Sequence, residues 1–181
     1  MTCDRRPSRR LPRPLDGAAL DALALHYVGR FATTRAKLAD FLRRKVRERG
    51  WDGPAVDPAL VAERMARLGY VDDRAFAEMR AAALARRGYG GRRVAQALQA
   101  AGVSEADADA ALEAMSGQGA GQAVASALAF ARRRRMGPWA AAAPDDRTRE
   151  RQIAAMIRAG HAHGLSRRIV ATPPGVSFDD G

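Results

Sequence analysis

Between Leu68 and Val94 the chain reads LGYVDDRAFAEMRAAALARRGYGGRRV, a stretch that leaves few folds open. A glycine–aromatic turn runs into paired aspartates, an alanine-rich helix, an Arg-Arg-Gly turn and a second, basic helix. Asp72 or Asp73 is a natural N-cap, because a carboxylate accepts the orphan N–H groups of a first helical turn. Phe76, Met79, Ala83 and Leu84 then fall on one helical face. Gly88, Gly90 and Gly91 end that helix and begin the next. Arg86, Arg87, Arg92 and Arg93 are left clustered around the junction. The stretch contains no catalytic grouping and reads as a binding module.

The same period governs the rest of the chain, and strand alternation is almost absent. Leu20, Leu23, Tyr27, Val28 and Phe31 form the apolar face of a first helix. Thr33 or Thr34 caps a second, whose face is Leu38, Phe41, Leu42 and Val46. Gly50 to Gly53 form a loop. Asp57-Pro58 is an N-cap followed by proline at the first helical position. The helix it starts carries Leu60, Val61, Met65 and Leu68 and ends at Gly69. After the helices of residues 72–87 and 91–101, the latter with Val94, Ala97, Leu98 and Ala101 inward, Gly102 is a stop. Ser104 caps the next helix, with Asp107 at the capping-box position and Ala108, Ala111, Leu112 and Met115 inward. Gly117, Gln118 and Gly119 make a linker. A looser copy follows: Val124, Leu128 and Ala131 lead into Arg132 to Arg135, and Gly137-Pro138 stops the helix. Asp145 or Asp146 caps another helix with Ile153, Met156 and Ile157 inward. A short last helix after Ser166 contains Ile169 and Val170.

The expected fold is all-α, with tandem helix-turn-helix-like modules of three helices in an elongated, curved array. The boundaries are a flexible basic arm over 1–17, modules over 18–69, 70–117 and 118–172, and a flexible tail over 173–181. Thr34, Leu38 and Leu42 match Gly90, Val94 and Leu98 at a constant offset of 56. One module of this size has a marginal core, and neighbours that share side chains relieve it.

The net charge is +11, with Lys37 and Lys45 the only lysines. That balance favours an acidic partner, and arginine suits forked contacts to phosphate and carboxylate. A GC-rich genome also produces alanine and arginine richness, so placement carries more weight than composition. Cys3 is alone, which fits a reducing cytoplasm. No apolar run approaches the ~20 residues that span a bilayer, and the basic N-terminus lacks the apolar stretch of a secretory signal.

Bland roles compete with functional ones at each conspicuous residue. Asp72 and Asp73 point in different directions from a helix start, with no nucleophile or ligand set to join them. Capping is their expected role. His161 and His163, two apart, share no helical face and read as surface residues, with His26 at a module edge. Gly88-Tyr89-Gly90-Gly91 lacks the lysine and preceding strand of a phosphate-binding loop, so a tight turn is its expected use. The helix it starts could still receive a phosphate or acidic side chain. Arg132, Arg133, Arg134 and Arg135 span more than one face, which suits phosphate or acidic-surface contact; the bland reading is a solvated helix end. The helix after Ser104 has acids and no base, and a two-signed surface suits a protein partner. Trp51, Trp139 and Tyr89 are expected in local packing ahead of base stacking.

The segment Gly69-Tyr70-Val71-Asp72-Asp73-Arg74-Ala75-Phe76-Ala77, with Arg86-Arg87-Gly88 and Gly90, resembles the RecX family of regulatory proteins, which modulate the bacterial recombinase RecA. The resemblance runs from about Leu20 to Val170 and includes Thr34, Leu38 and Leu42. Where the family has Gly-Phe in its third module, this chain has Gly164-Leu165. The resemblance implies a monomeric, non-enzymatic regulator of homologous recombination and the SOS response, with no cofactor. It implies binding in the groove of the RecA filament on single-stranded DNA, with duplex DNA a further candidate. Inhibition of ATP hydrolysis and strand exchange would follow from groove occupancy and filament destabilisation. The residues expected to contact recombinase or DNA are Arg43, Arg44, Arg74, Arg80, Arg86, Arg87, Arg92, Arg93 and Arg132 to Arg135. Gly69, Tyr70, Asp72, Asp73, Phe76, Ala77, Gly88 and Gly90 are the structural residues of the motif. The rival readings are a helix-turn-helix DNA-binding protein acting without recombinase and a nuclease, which would need clustered carboxylates for metal.

Overall fold

The computed structural model describes residues 13–116 and 120–179. Among these it contains nine α-helices: α1 (Gly17–Val28), α2 (Arg35–Arg49), α3 (Pro58–Arg67), α4 (Asp73–Arg86), α5 (Gly91–Gln99), α6 (Glu105–Ser116), α7 (Ala120–Arg134), α8 (Asp146–Arg158) and α9 (His163–Ala171). A 3-10 turn, Gly137–Trp139, follows α7. The Gly117–Gly119 linker lies outside the described residues, as does Cys3. The chain divides into two compact units, Met1–Val71 and Asp72–Gly181.

Each group of three helices has its own hydrophobic cluster. In the first unit, Leu20 and Ala24 of α1, Leu38 and Leu42 of α2, and Val61 and Met65 of α3 are buried together. In the second, Ala77, Ala81, Val94, Leu98 and Ala111 join α4 to α5 and α6, while Ala127, Phe130, Met156 and Ile169 join α7 to α8 and α9. Tyr89 packs against both of the latter clusters. One side chain shared by two small cores removes apolar surface that neither could cover alone.

The helix starts follow side-chain chemistry. Thr34 is the cap of α2, accepting from the Lys37 N–H at 3.2 Å, and Asp57 caps α3 from Ala59 at 2.9 Å. Asp72, not Asp73, caps α4, accepting from Ala75 at 2.8 Å. Ser104 accepts from the Asp107 N–H at 3.2 Å, but its hydroxyl donates to Asp107 Oδ2 at 2.7 Å. Asp145 caps α8 from Thr148, and that bond holds its carboxyl below the usual carboxylate range.

The helix ends follow one backbone motif used five times. A residue with positive φ stands at Gly69, Gly88, Gly102, Arg135 and Gly160. The next residue's N–H then bonds back to a carbonyl five residues earlier: Tyr70 to Met65, Tyr89 to Leu84, Val103 to Leu98, Met136 to Ala131, His161 to Met156, at 2.9–3.2 Å. This is the Schellman closure, which satisfies orphan carbonyls and favours glycine at the left-handed position.

The repeat of the first two helix groups holds. Thr34 and Gly90 are both N-caps, and Leu38, Val94, Leu42 and Leu98 are fully buried. The third group joins it in a different register. Leu98, Ala101, Gly102 and Val103 recur 58 residues later as Met156, Ala159, Gly160 and His161. Both glycines have positive φ, and the other residues of both sets are buried.

Several inward faces differ from the sequence pattern. Met79 is exposed, because α4 buries Ala77, Ala81, Leu84 and Ala85 and Met79 lies roughly 170° round the helix from them. Short alanine side chains let α5 and α6 approach closely. Phe31 is exposed beyond the end of α1, its ring 5.1 Å from that of Tyr27. Leu60 is exposed, about 100° round α3 from buried Val61, and Leu68 is exposed at the C-cap. On α7 the buried residues are Ser126, Ala127, Phe130 and Ala131, with Val124 and Leu128 half-buried. The last helix starts ahead of Ser166, at His163: Ser166 is buried inside α9, donating to the Ala162 carbonyl at 2.8 Å.

Both expected flexible ends are anchored where described. Leu15 is fully buried, donating to Gly50 and accepting from Asp52. At the other end, the Gly175 N–H donates to the Pro138 carbonyl, and Phe178 packs on the third cluster under Arg168.

Candidate binding surface

Arg86 ends α4 and Arg87 is its C-cap. The turn at Gly88 is dictated by its φ of 76°, and it brings the chain against α7. A Cβ on Gly88 would lie 2.7 Å from the Phe130 nitrogen, so only glycine fits. That approach sets α7's arginine run beside Arg86 and Arg87. Arg133 Nη1 donates to the Arg87 carbonyl oxygen, and the Arg134 guanidinium lies 5.6 Å from the Phe130 ring centroid. Arg86, Arg87 and Arg132 to Arg135 are all exposed. Residues more than forty apart in sequence thus form one basic surface around the C-terminal ends of two helices, where cations also complement the helix dipoles.

Arg92 and Arg93 occupy the first turn of α5 and are exposed. Arg93 bonds Gln96 Oε1 at 3.3 Å. Arg92 lines a cleft of about 560 Å³ with His161, His163, Met115 and Ser126. Gly90 has a φ of −81°, which any residue adopts, so its role differs from that of Gly88. Its N–H donates to the Ala159 carbonyl at 2.9 Å, and a Cβ there would lie 2.4 Å from the Gly160 carbonyl oxygen. Gly88 and Gly90 therefore lock the second helix group against the third.

Other expected contact residues lie elsewhere on α4 and in the first unit. Arg74 is at the start of α4, roughly 18 Å along the helix from Arg86, and pairs with Glu78 at 3.2 Å. Arg80 is exposed midway along α4. Arg43 and Arg44 belong to the first unit, paired with Asp40 at 3.0 Å and Glu48 at 3.8 Å. All these pairs are solvent-exposed and weak.

The motif's acidic and aromatic residues divide by role. Asp73 is buried in the first turn of α4, Ala77 is fully buried, and Phe76 is partly so. Tyr70 is exposed beside Gly69, whose φ is 79°. Trp51 donates to the Pro54 carbonyl at 2.8 Å, and Trp139 packs on the third cluster, as expected of local packing. His163 is exposed. His161, expected at the surface, is 3% exposed. Its Nε2 lies 3.0 Å from the Gly88 carbonyl oxygen, and burial pushes its pKa down, partly offset by that bond. The recurrence of Ala-Gly-Val as Ala-Gly-His was the signal that placed it inside.

The matched family model, the second three-helix domain of RecX, covers residues 72–112, which hold α4, α5 and most of α6. The chain is 33% identical over 181 residues to the regulatory protein RecX of Myxococcus xanthus, covering 94% of this chain and 93% of that one. It is 31% identical over 153 residues to the regulatory protein RecX of Agrobacterium fabrum, covering 82% and 79%. The fold matches a crystal structure of RecX from Lactobacillus salivarius with a TM-score of 0.60 at 17% identity, over 84% of this chain and 93% of that one. A second RecX crystal structure gives 0.58 at 22% identity, over 84% and 72%. With the motif, the three helix groups and near full-length similarity in agreement, the chain belongs to the RecX family of regulatory proteins.

Proposed function

We propose that this protein binds the RecA filament on single-stranded DNA and restrains its ATP hydrolysis and strand exchange. The observation that carries the reading is the basic surface of Arg86, Arg87 and Arg132 to Arg135, assembled by the glycine contact with Phe130 in a member of this family. The modules, over 18–69, 70–117 and 118–172, occupy the filament groove and bridge protomers. Arginines contact acidic recombinase surface and nearby phosphates, while Glu105, Asp107, Asp109 and Glu113 of α6 meet basic surface on the same partner. Occupancy obstructs incoming duplex and the subunit motions of ATP turnover, and the filament loses subunits. The protein acts as a cytoplasmic monomer, without a catalytic step of its own.

The test is ATP hydrolysis by a preformed filament with this protein added well below one per recombinase. A fall in rate with filament shortening is the expected result. The net charge of +11 favours one rival, direct helix-turn-helix DNA binding. An unchanged rate, together with tight recombinase-independent DNA binding that weakens steeply with salt, establishes that rival instead.

A further inference from the structure

His161 stands in the turn between α8 and α9, and its ring joins three elements. Nε2 meets the Gly88 carbonyl of the α4–α5 turn at 3.0 Å. The ring flanks Phe130 of α7, with centroids 5.6 Å apart. A carbonyl only accepts, so Nε2 carries the proton and the neutral ring leaves Nδ1 without one. The equivalent residue of the preceding helix group is Val103, which fills its place without a hydrogen bond to lose. At position 161 the apolar plug has become a titratable one, at a seam where Gly90 and Gly160 already touch backbone to backbone.

The charged side chains around the segments that the ring touches are cations. Arg87 follows the α4 helix into Gly88, Arg133 bonds the Arg87 carbonyl, and Arg134 lies over Phe130. Arg92 and His163 line the same cleft as His161, and no carboxylate lines it among the described residues. From α6 the cleft receives Leu112 and Met115, while Asp109 and Glu113 are exposed and outside it. Glu78 of α4 and Glu150 of α8 stand roughly 15 Å away along their helices. A second ring proton would therefore create a buried imidazolium with no facing anion.

We propose that His161 is a proton-sensitive latch between the α4–α6 and α7–α9 helix groups, closed through Gly88 when neutral and released when protonated. Burial acts in the same direction, holding the folded-state pKa below its ordinary value. The sign follows from linkage. The unfolded chain binds a proton near pH 6.5 while the folded ring resists it, so stability is greatest above about pH 6.5. It falls as pH drops, by at most about tenfold in the folding equilibrium constant per pH unit, and levels off once the folded ring is protonated. The latch does not depend on what the arginines bind.

The experiment uses the full chain and its His161→Val and His161→Gln variants. Denaturant unfolding is measured from pH 7.5 to 5.5, with the ring nitrogens of the wild type followed by NMR. The expected result is a steeper loss of stability on acidification in the wild type than in either variant. His161 should titrate below the ordinary histidine range of about pH 6.5. Exchange of the Gly90 amide, corrected for its intrinsic rate, should accelerate in acid relative to that of Val103. Parallel stability curves, or a His161 that titrates at or above the ordinary histidine value, overturn the proposal. If both variants fail to fold, the wild-type titration and amide exchange decide it alone.

Discussion

Gly90 and Gly160, seventy residues apart, approach so closely that a Cβ on the first would lie 2.4 Å from the second's carbonyl oxygen. A Cβ on Gly160 would in turn lie 2.5 Å from the Arg93 nitrogen. The Gly90 N–H bonds the Ala159 carbonyl within the same contact. The obstacle in each direction is backbone, which cannot swing aside as a side-chain tip can.

Gly90→Ala should therefore destabilise the second unit by about 1–3 kcal/mol through overpacking, although the backbone angles at Gly90 suit alanine. Gly91→Ala is the control, since nothing lies within 4 Å of a Cβ there. Denaturant midpoints of the two variants check this. Equal midpoints would mean that the seam yields without cost.

Arg135 is the non-glycine residue among the five left-handed helix ends, with a φ of 53°. Glycine occupies the equivalent place at 69, 88, 102 and 160. Arg135→Gly should relieve backbone strain worth about 1–3 kcal/mol, less roughly 0.5–1 kcal/mol for the greater freedom of unfolded glycine. The net expectation is a stability gain of up to about 2.5 kcal/mol, read as a raised denaturant midpoint with the slope unchanged. Arg135→Ala removes the same charge without the relief and should show no such gain.

Much of this architecture was legible because it is local. Thr34 with Leu38 and Leu42, and Gly90 with Val94 and Leu98, pair a helix start with the two inward positions that follow, and both appear as read. Caps at Asp57 and Ser104 depend on three or four residues and were read from them. What failed depended on distant partners or on small residues. The face of α4 is read from Phe76 and Met79 because large side chains dominate a periodicity argument, yet close helix packing selected Ala77 and Ala81. His161 reads as a surface residue because its Gly88 partner is 73 residues away. The arginines of α4 and α7 were each visible as clusters. Their merger rests on the Gly88–Phe130 contact, which no spacing in the chain announces.

The paired aspartates give a separable prediction. Asp72→Ala removes the bond to the Ala75 N–H and should cost about 1 kcal/mol, while Asp72→Asn, which keeps a cap, should cost little. Asp73→Asn alters a buried first-turn residue without touching that cap. Chemical denaturation of all three distinguishes capping from a general need for negative charge at the start of α4. A loss in Asp72→Asn equal to that in Asp72→Ala would point to charge and away from the hydrogen bond.

The basic surface makes the sharpest functional prediction. Combined Arg86→Ala and Arg87→Ala should raise the concentration needed for half-inhibition of filament ATP hydrolysis by roughly tenfold or more, since each lost charge-assisted contact is worth about 1.5–3 kcal/mol. Arg74→Ala should matter less, because Arg74 sits at the far end of α4 and already pairs with Glu78. Arg133→Ala must be compared at matched stability, because it also loses the Arg87 carbonyl contact. Salt separates the two partners of this surface. If the arginines meet DNA phosphates, each removal should flatten the dependence of binding on log salt by about one unit. An unchanged slope with weakened inhibition would place them on recombinase. Undiminished inhibition by the Arg86, Arg87 variant would remove this surface from the mechanism altogether.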